Sequence, residues 1–118
     1  MNLDLFGDER RSWREQLCSG ALLLRGFALP YAANLCAALH DISSRAPLRQ
    51  MFTPGGFRMS VAMTNCGACG WVSDRSGYRY DTLDPDSGQP WPAMPAAFLS
   101  LAQQAAASAG FPNFEPDA

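Results

Sequence analysis

The sequence of 118 residues contains no lysine and only one histidine, His40. A single histidine excludes, within this chain, the site of two histidines and one carboxylate that holds non-haem iron. The motifs GxSxG, GxxxxGK[ST] and HExxH are also absent. No apolar run approaches the roughly 20 residues needed to cross a bilayer, and the N-terminus lacks the apolar core of a signal peptide. We therefore expect a cytoplasmic, soluble protein with no membrane partner and with neither catalytic residues nor metal ligands in this chain.

The charged residues are few and unevenly placed. The formal net charge of −2 argues against binding nucleic acid by bulk electrostatics. All nine basic residues are arginines, however, and five of them lie between Arg45 and Tyr80 against a single acid, Asp74. This middle part is suited to face phosphates. The alternative is an ordinary solvated arginine surface.

The four cysteines are expected to be reduced, because the chain shows no export signal. Cys66 and Cys69 form one CxxC pair, but a structural zinc site usually needs a second paired element. A redox site of the thioredoxin type needs the CxxC to open a helix, whereas Gly70-Trp71-Val72 is typical of a strand. We assign no role to Cys66 and Cys69, and a small CxxC zinc or redox domain remains an alternative.

The length permits one small domain of mixed α and β structure. A buried strand is predicted over Gly20–Phe27, from an apolar run bounded by glycines. A helix is predicted after Pro30, with an apolar stripe at Leu35, Leu39 and Ile42 and with His40 at its surface. A second helix is predicted to begin at Pro95 and to end at Gly110. The aromatic residues Phe111 and Phe114 then follow, and we expect them to pack on a partner element outside this chain.

Residues 52–81 have the pattern of antiparallel strands. Thr53–Gly56 predicts a turn, and the alternation from Phe57 to Met63 predicts a strand with one apolar face. Trp71-Val72-Ser73 and Tyr78-Arg79-Tyr80 flank Asp74–Gly77, which predicts a hairpin with a four-residue loop.

Aromatic residues and arginines alternate on these predicted strands. Phe57, Trp71, Tyr78 and Tyr80 are candidates to stack on bases while Arg58 and Arg79 hold phosphates. Each stacked base is worth about 1–3 kcal/mol. The alternative interpretation is that the aromatic side chains build a core.

Several short motifs follow one another in residues 49–95. They are Arg49-Gln50-Met51, Thr53-Pro54-Gly55-Gly56, Met59-Ser60-Val61-Ala62-Met63-Thr64-Asn65-Cys66-Gly67, Gly70-Trp71, Gly77-Tyr78 and Pro90-Trp91-Pro92-Ala93-Met94-Pro95. In this order they closely resemble bacterial AlkB proteins, and the similarity extends from Leu3-Asp4-Leu5-Phe6 to Pro116-Asp117-Ala118.

The resemblance implies a fold class and a reaction. AlkB proteins are iron(II)- and 2-oxoglutarate-dependent dioxygenases that oxidatively demethylate bases such as 1-methyladenine and 3-methylcytosine. By this resemblance the chain is α+β: residues 1–118 form the N-terminal extension and a nucleotide-recognition lid, about residues 47–81, of a double-stranded β-helix (jelly-roll) dioxygenase. The chain would then be truncated before the catalytic barrel is complete, with iron(II) and 2-oxoglutarate bound by the parent enzyme and neither bound by this chain alone.

The resemblance also implies roles for individual residues. Trp71 would stack on the flipped-out alkylated base, because a base must leave the helical stack before its methyl group can be reached. Thr53 and Tyr78 would hold the flanking phosphates, and Tyr78-Arg79-Tyr80 would form the strand that contacts substrate. Met63 would line the lesion pocket, with Met59 nearby.

The expected partner is alkylated single-stranded DNA, with RNA and double-stranded DNA as further candidates, and the expected state is a monomer. A second hypothesis is a stand-alone module that binds single-stranded nucleic acid with the lid but without the barrel. The sequence leaves open the preferred lesion, the choice between DNA and RNA, and whether these residues fold alone.

Overall fold

The computed structural model describes residues 14–118. The apolar residues Leu3, Leu5, Phe6 and Trp13 predict an N-terminal arm that clamps onto a larger body, and these residues lie outside the described range. The described part is α+β, with three two-stranded antiparallel sheets and two α-helices. The elements in chain order are β1 (Arg14–Cys18), β2 (Ala21–Leu24), α1 (Ala32–Arg45), β3 (Arg49–Phe52), β4 (Arg58–Met63), β5 (Gly70–Asp74), β6 (Gly77–Asp81) and α2 (Ala96–Ser108). None of the described helices is both long and apolar enough to span a membrane.

The first hairpin pairs β1 with β2. The apolar run after Gly20 does form a strand, but the prediction that this strand is buried was wrong. β1 is exposed along its whole length, and Leu23 in β2 is 37% exposed. An apolar run favours extended backbone, whereas burial also needs an element that packs on its face. Arg14 ties the hairpin to the end of α2 by donating from Nη2 to the carbonyl oxygen of Ser108 at 2.6 Å.

Helix α1 begins at Ala32, immediately after a single 3₁₀ turn that contains Pro30. Only one residue of the predicted stripe, Ile42, is buried, and Leu39 is 54% exposed. His40 is exposed, as expected. The helix ends before Pro47, whose ring disfavours helical backbone at the preceding residue. The first helix was therefore predicted correctly in position but with too wide a buried face.

Two further hairpins form the middle of the chain. β3 pairs with β4 across the turn predicted at Thr53–Gly56, where Gly56 has a φ of +88°. β5 pairs with β6, but the loop between them has two residues and not four, because Asp74 and Gly77 pair as the last rung of the ladder. The Asp74 carboxylate accepts a hydrogen bond from the Ser76 backbone N–H at 2.8 Å, which closes this tight turn.

A small core joins these hairpins to helix α1. It consists of Ala46, Met51, Val72 and Trp91, with Met59, Met63 and Trp71 packed around it. The prolines on both sides of Trp91 predict only a rigid, extended segment, so the core role of Trp91 was not predicted from the sequence. Its indole Nε1–H donates to the carbonyl oxygen of Asp81 at 2.9 Å, so the loop returns to the end of β6.

Helix α2 has the predicted ends. Pro95 is its N-cap, and Gly110 has a φ of +94° one position beyond the C-cap Ala109. The N–H groups of Gly110 and Phe111 donate to the carbonyl oxygens of Ala107 and Ala106, which is a Schellman motif. Phe111 and Phe114 follow as exposed aromatic residues.

Candidate nucleic-acid interface

The β5–β6 hairpin brings three aromatic residues to one face. In its register Trp71 pairs with Tyr80, Ser73 with Tyr78 and Val72 with Arg79. Side chains alternate between the two faces of a strand. Trp71, Tyr78 and Tyr80 therefore share one face, the aromatic face, and Arg79 lies on the other.

Trp71 and Tyr78 stack on each other across the hairpin. Their ring centroids are 5.7 Å apart and their planes are inclined by 15°. Trp71 is half-buried, whereas Tyr78 and Tyr80 are 62% and 67% exposed. A pair of nearly parallel rings beside a further exposed ring offers flat π-surfaces of the kind on which nucleobases stack.

The backbone of Trp71 is held by a side chain that the sequence did not single out for this role. The Asn65 amide forms two hydrogen bonds with Trp71: Nδ2 donates to the carbonyl oxygen at 3.1 Å, and Oδ1 accepts from the backbone N–H at 3.2 Å. Gly70 makes room for this contact, since a Cβ there would lie 2.6 Å from Asn65 Cβ and 2.7 Å from the Trp91 ring. In the sequence, Asn65 and Gly70 were marked only by their presence in the AlkB-like motifs, which did not predict this contact.

Arg79 does not join the aromatic face. Its guanidinium binds both carboxylate oxygens of Asp74, at 2.8 and 3.0 Å, and one oxygen of Asp81 at 3.3 Å. The hydrogen bond from Arg79 lowers the pKa of Asp74, and the bond to Asp74 raises the pKa of Arg79. The pKa of Asp81 is lowered first by the Leu83 backbone N–H and then by Arg79. Arg79 thus serves to fasten the hairpin on the side opposite Trp71.

Thr53 and the two methionines border the same region from the β3–β4 hairpin. Thr53 Oγ1 accepts the Phe57 backbone N–H at 3.1 Å, which leaves the hydroxyl proton able to be donated elsewhere. Met59 and Met63 are half-buried and pack against the core. The Ser73 hydroxyl joins the two hairpins by donating to the Phe52 carbonyl oxygen at 2.7 Å. All three predicted residues therefore lie in the pair of hairpins that carries Trp71.

Arg49 of β3 forms a buried ion pair with Asp84. The sequence showed both charges, but their pairing was not predicted. Arg49 Nη1 pairs with Asp84, and also with the exposed Asp86 at 2.9 Å. The side chains of Arg49 and Asp84 are 15% and 5% exposed. The guanidinium carbon lies 4.9 Å from the centroid of the Trp91 ring, a cation–π contact. Arg49 thus links β3, the loop at residues 84–86 and the core tryptophan.

The residues that the structure describes do not fit an iron site. The chain has one histidine, and within residues 14–118 no three His, Cys, Asp or Glu side chains are grouped so as to hold a metal ion. Cys66 and Cys69 are both half-buried, and burial raises the pKa of the Cys66 thiol. A raised pKa keeps the thiol protonated and so makes Cys66 a poor nucleophile near neutral pH.

Comparison of the sequence with known proteins places this chain among oxygenases. The family described as the 2OG-Fe(II) oxygenase superfamily matches residues 20–118. The chain is 53% identical over 116 residues to the alpha-ketoglutarate-dependent dioxygenase AlkB of Escherichia coli (strain K12) and, at the same identity, to that of Salmonella typhimurium; each match covers 98% of this chain and 53% of the relative. An AlkB homolog of Caulobacter vibrioides (strain NA1000 / CB15N) is 49% identical over 59 residues, which are 50% of this chain and 27% of that relative. The chain thus spans about half the length of the enterobacterial relatives.

Proposed function

This chain belongs to the 2OG-Fe(II) oxygenase superfamily and, within it, to the bacterial AlkB family, and on that premise we propose that it supplies the substrate-recognition surface of a nucleic-acid dealkylase. The proposed reaction is the oxidative demethylation of bases such as 1-methyladenine and 3-methylcytosine in DNA, with RNA as a second candidate substrate. The proposed lid comprises residues 47–81, which include both hairpins around the core.

The stacked Trp71–Tyr78 pair is the observation that carries this proposal. A base that has left the helical stack needs a flat partner, and each stacked base contributes about 1–3 kcal/mol. Asn65 holds the Trp71 backbone through two hydrogen bonds, and the Trp71 side chain packs against the core. Stacking does not distinguish hydrogen-bonding edges, which suits a surface that accepts several alkylated bases.

The neighbouring residues take supporting roles in this proposal. In this proposal the Thr53 hydroxyl and the exposed Tyr78 hydroxyl donate hydrogen bonds to phosphate oxygens on either side of the flipped nucleotide. Met59 and Met63 offer flexible apolar surface to the alkyl group. Tyr80 extends the aromatic face. Arg79 fastens the hairpin from the opposite face, and as part of the strand Tyr78-Arg79-Tyr80 it stays among the residues proposed to contact substrate.

The oxidation itself requires residues that this chain does not contain. In the superfamily iron(II) and 2-oxoglutarate supply the oxidising chemistry, and one histidine is too few to hold that iron. We therefore propose that the iron ligands lie outside residues 1–118 and that the role of this chain is to bind and orient the base.

A turnover assay tests this division of labour. The intact protein, supplied with iron(II) and 2-oxoglutarate, is expected to demethylate 3-methylcytosine in a single-stranded oligonucleotide, and the 118-residue chain alone is expected to give no loss above the blank. Turnover by the 118-residue chain would refute the assignment of the chemistry to other residues. Binding without turnover by the intact protein would favour the alternative of a simple single-strand-binding module.

A further inference from the structure

Two arginines of the lid remain without carboxylate partners when the ion pairs of the described residues are assigned. Arg45 pairs with Asp41, Arg49 with Asp84 and Asp86, and Arg79 with Asp74 and Asp81. Arg58 and Arg75 form no salt bridge and no side-chain hydrogen bond within residues 14–118. The excess positive charge of the segment from Arg45 to Tyr80 therefore resides on these two side chains.

Both arginines belong to the same end of the lid. Arg75 occupies the β5–β6 turn, and its Nη2 would lie 3.9 Å from a Cβ built on Gly56, so the guanidinium reaches the β3–β4 turn. Arg58 is the first residue of β4, two positions beyond Gly56. Both residues are exposed. The turns of the two hairpins thus meet at an end that carries positive charge.

Thr53 adds a neutral donor to the same turn. Its Oγ1 accepts the Phe57 backbone N–H and its carbonyl oxygen accepts the Gly56 backbone N–H, so the turn is closed by its own bonds. The Thr53 hydroxyl proton is not used in either bond. Arginine guanidinium groups with an adjacent hydroxyl donor are typical of contacts to phosphate oxygens.

We propose that Arg58 and Arg75, together with Thr53, form a phosphate-binding tip that grips the phosphodiester backbone of single-stranded nucleic acid beside the stacked base. This inference rests on the proposed function and deepens it, because it adds a charged backbone contact to the aromatic face. The tip supplies affinity that does not depend on sequence, whereas Trp71 stacks on the base. A chain with a net charge of −2 can thereby hold a polyanion through a locally positive edge.

The salt dependence of binding tests this proposal, because a purely structural role of Arg75 would not change it. Each phosphate contact on a single strand contributes about 0.7 to the slope of log affinity against log salt concentration. In the intact protein Arg75→Gln is expected to reduce that slope by about 0.7, and the Arg58→Gln/Arg75→Gln double variant by about 1.4. The ratio of the affinity of the unaltered protein to the affinity of Arg75→Gln should fall about 2.6-fold between about 50 and about 200 mM salt.

Two matched variants complete the experiment, with a 3-methylcytosine oligonucleotide and its unmodified counterpart as probes. Arg75→Lys keeps the charge and should restore most of the slope. Arg25→Gln removes an exposed arginine that pairs with Glu15, and it should leave the slope unchanged. The loss in Arg75→Gln should be equal for both oligonucleotides, because the tip contacts the backbone and not the lesion.

The possible failures are distinguishable. If Arg75→Gln lowers the thermal stability of the protein but leaves the salt slope unchanged, Arg75 only supports the Gly56 turn and the inference is wrong. If the salt slope falls as expected but the protein neither prefers nor demethylates the alkylated strand, the phosphate-binding tip stands and the proposed dealkylase function does not.

Discussion

At the scale of single residues, Arg49 and Asp84 form the least exposed ion pair among the described residues. Both side chains are largely withdrawn from water, so each depends on the other for compensation of its charge. Asp84 also organises its own loop, since its carboxylate accepts the Asp86 backbone N–H and its carbonyl oxygen accepts the Gly88 N–H. Removal of Arg49 would therefore leave a buried carboxylate without its counter-charge and Trp91 without its cation.

Arg49→Met is expected to destabilise the intact protein by about 3–5 kcal/mol, the cost of breaking a buried pair from one side. Asp86→Asn is the matched control, because Asp86 contacts the same guanidinium but is 66% exposed, and it should cost about 0–1 kcal/mol. Urea unfolding of both variants measures the difference. Equal and small losses would show that the Arg49–Asp84 pair does not stabilise this core.

At the scale of elements, the β5–β6 hairpin has two faces with separate tasks. The aromatic face carries Trp71, Tyr78 and Tyr80, and the opposite face carries the Asp74–Arg79–Asp81 ion pairs. The ion pairs hold the two strands together on the face opposite Trp71, Tyr78 and Tyr80.

The lowered pKa of Asp74 and of Asp81 predicts acid sensitivity of this hairpin. A carboxylate whose pKa is lower in the folded state stabilises the fold above its unfolded pKa, and this contribution is lost as the pH falls through the folded value. The protein is therefore expected to lose stability below about pH 4. Asp74→Asn should lower stability near neutral pH and weaken its dependence on acid. Denaturation midpoints between about pH 2 and pH 6 provide the measurement, and a curve for Asp74→Asn parallel to that of the unaltered protein would contradict the account.

The sequence predicted elements better than it predicted burial. Alternation and turn residues located β4, the turn before it and the β5–β6 hairpin, and Gly110 marked the end of α2, because these signals act on the local backbone. The strand β3, which pairs with β4, was not predicted. The buried face of α1, the exposure of β2 and the core role of Trp91 depend on what packs against each element, and no local pattern carries that information. Trp71 and Tyr78 were predicted to share a site, whereas the Asn65 clamp behind them requires the fold to be known.

At the scale of the whole molecule, the described residues bury little apolar surface. Five apolar side chains are buried, whereas fourteen large apolar side chains are exposed, including Phe57, Val61, Phe111 and Phe114. Small two-stranded sheets are only marginally stable unless other elements cover them. The chain spans about half the length of the two AlkB relatives that it matches over 98% of its own length.

The 118-residue chain alone is therefore expected to be marginally stable. Thermal unfolding should be broad, or should occur below roughly 65 °C, the upper part of the mesophilic range. Circular dichroism during heating measures it, with the intact protein as the control. A sharp cooperative transition of the isolated chain above that temperature would contradict the expectation.

The central claim is that Trp71 serves substrate and is not simply part of the core. Its ring is half-buried, so Trp71→Ala should cost less stability than the about 3–5 kcal/mol typical of a fully buried tryptophan. Binding of the intact protein to alkylated single strands should weaken by about 1–3 kcal/mol, similarly for methylated adenine and methylated cytosine. Tyr78→Phe is the milder companion, with an expected loss of about 0.5–1.5 kcal/mol for an ordinary hydrogen bond and about twice that for a bond to phosphate.

The most direct test measures thermal stability and affinity for a 3-methylcytosine oligonucleotide on the same Trp71→Ala preparation. The account predicts a folded protein whose affinity has fallen about 5- to 150-fold, the equivalent of about 1–3 kcal/mol. The contradictory result is a collapse of stability in which the remaining folded fraction binds the oligonucleotide as tightly as the unaltered protein does.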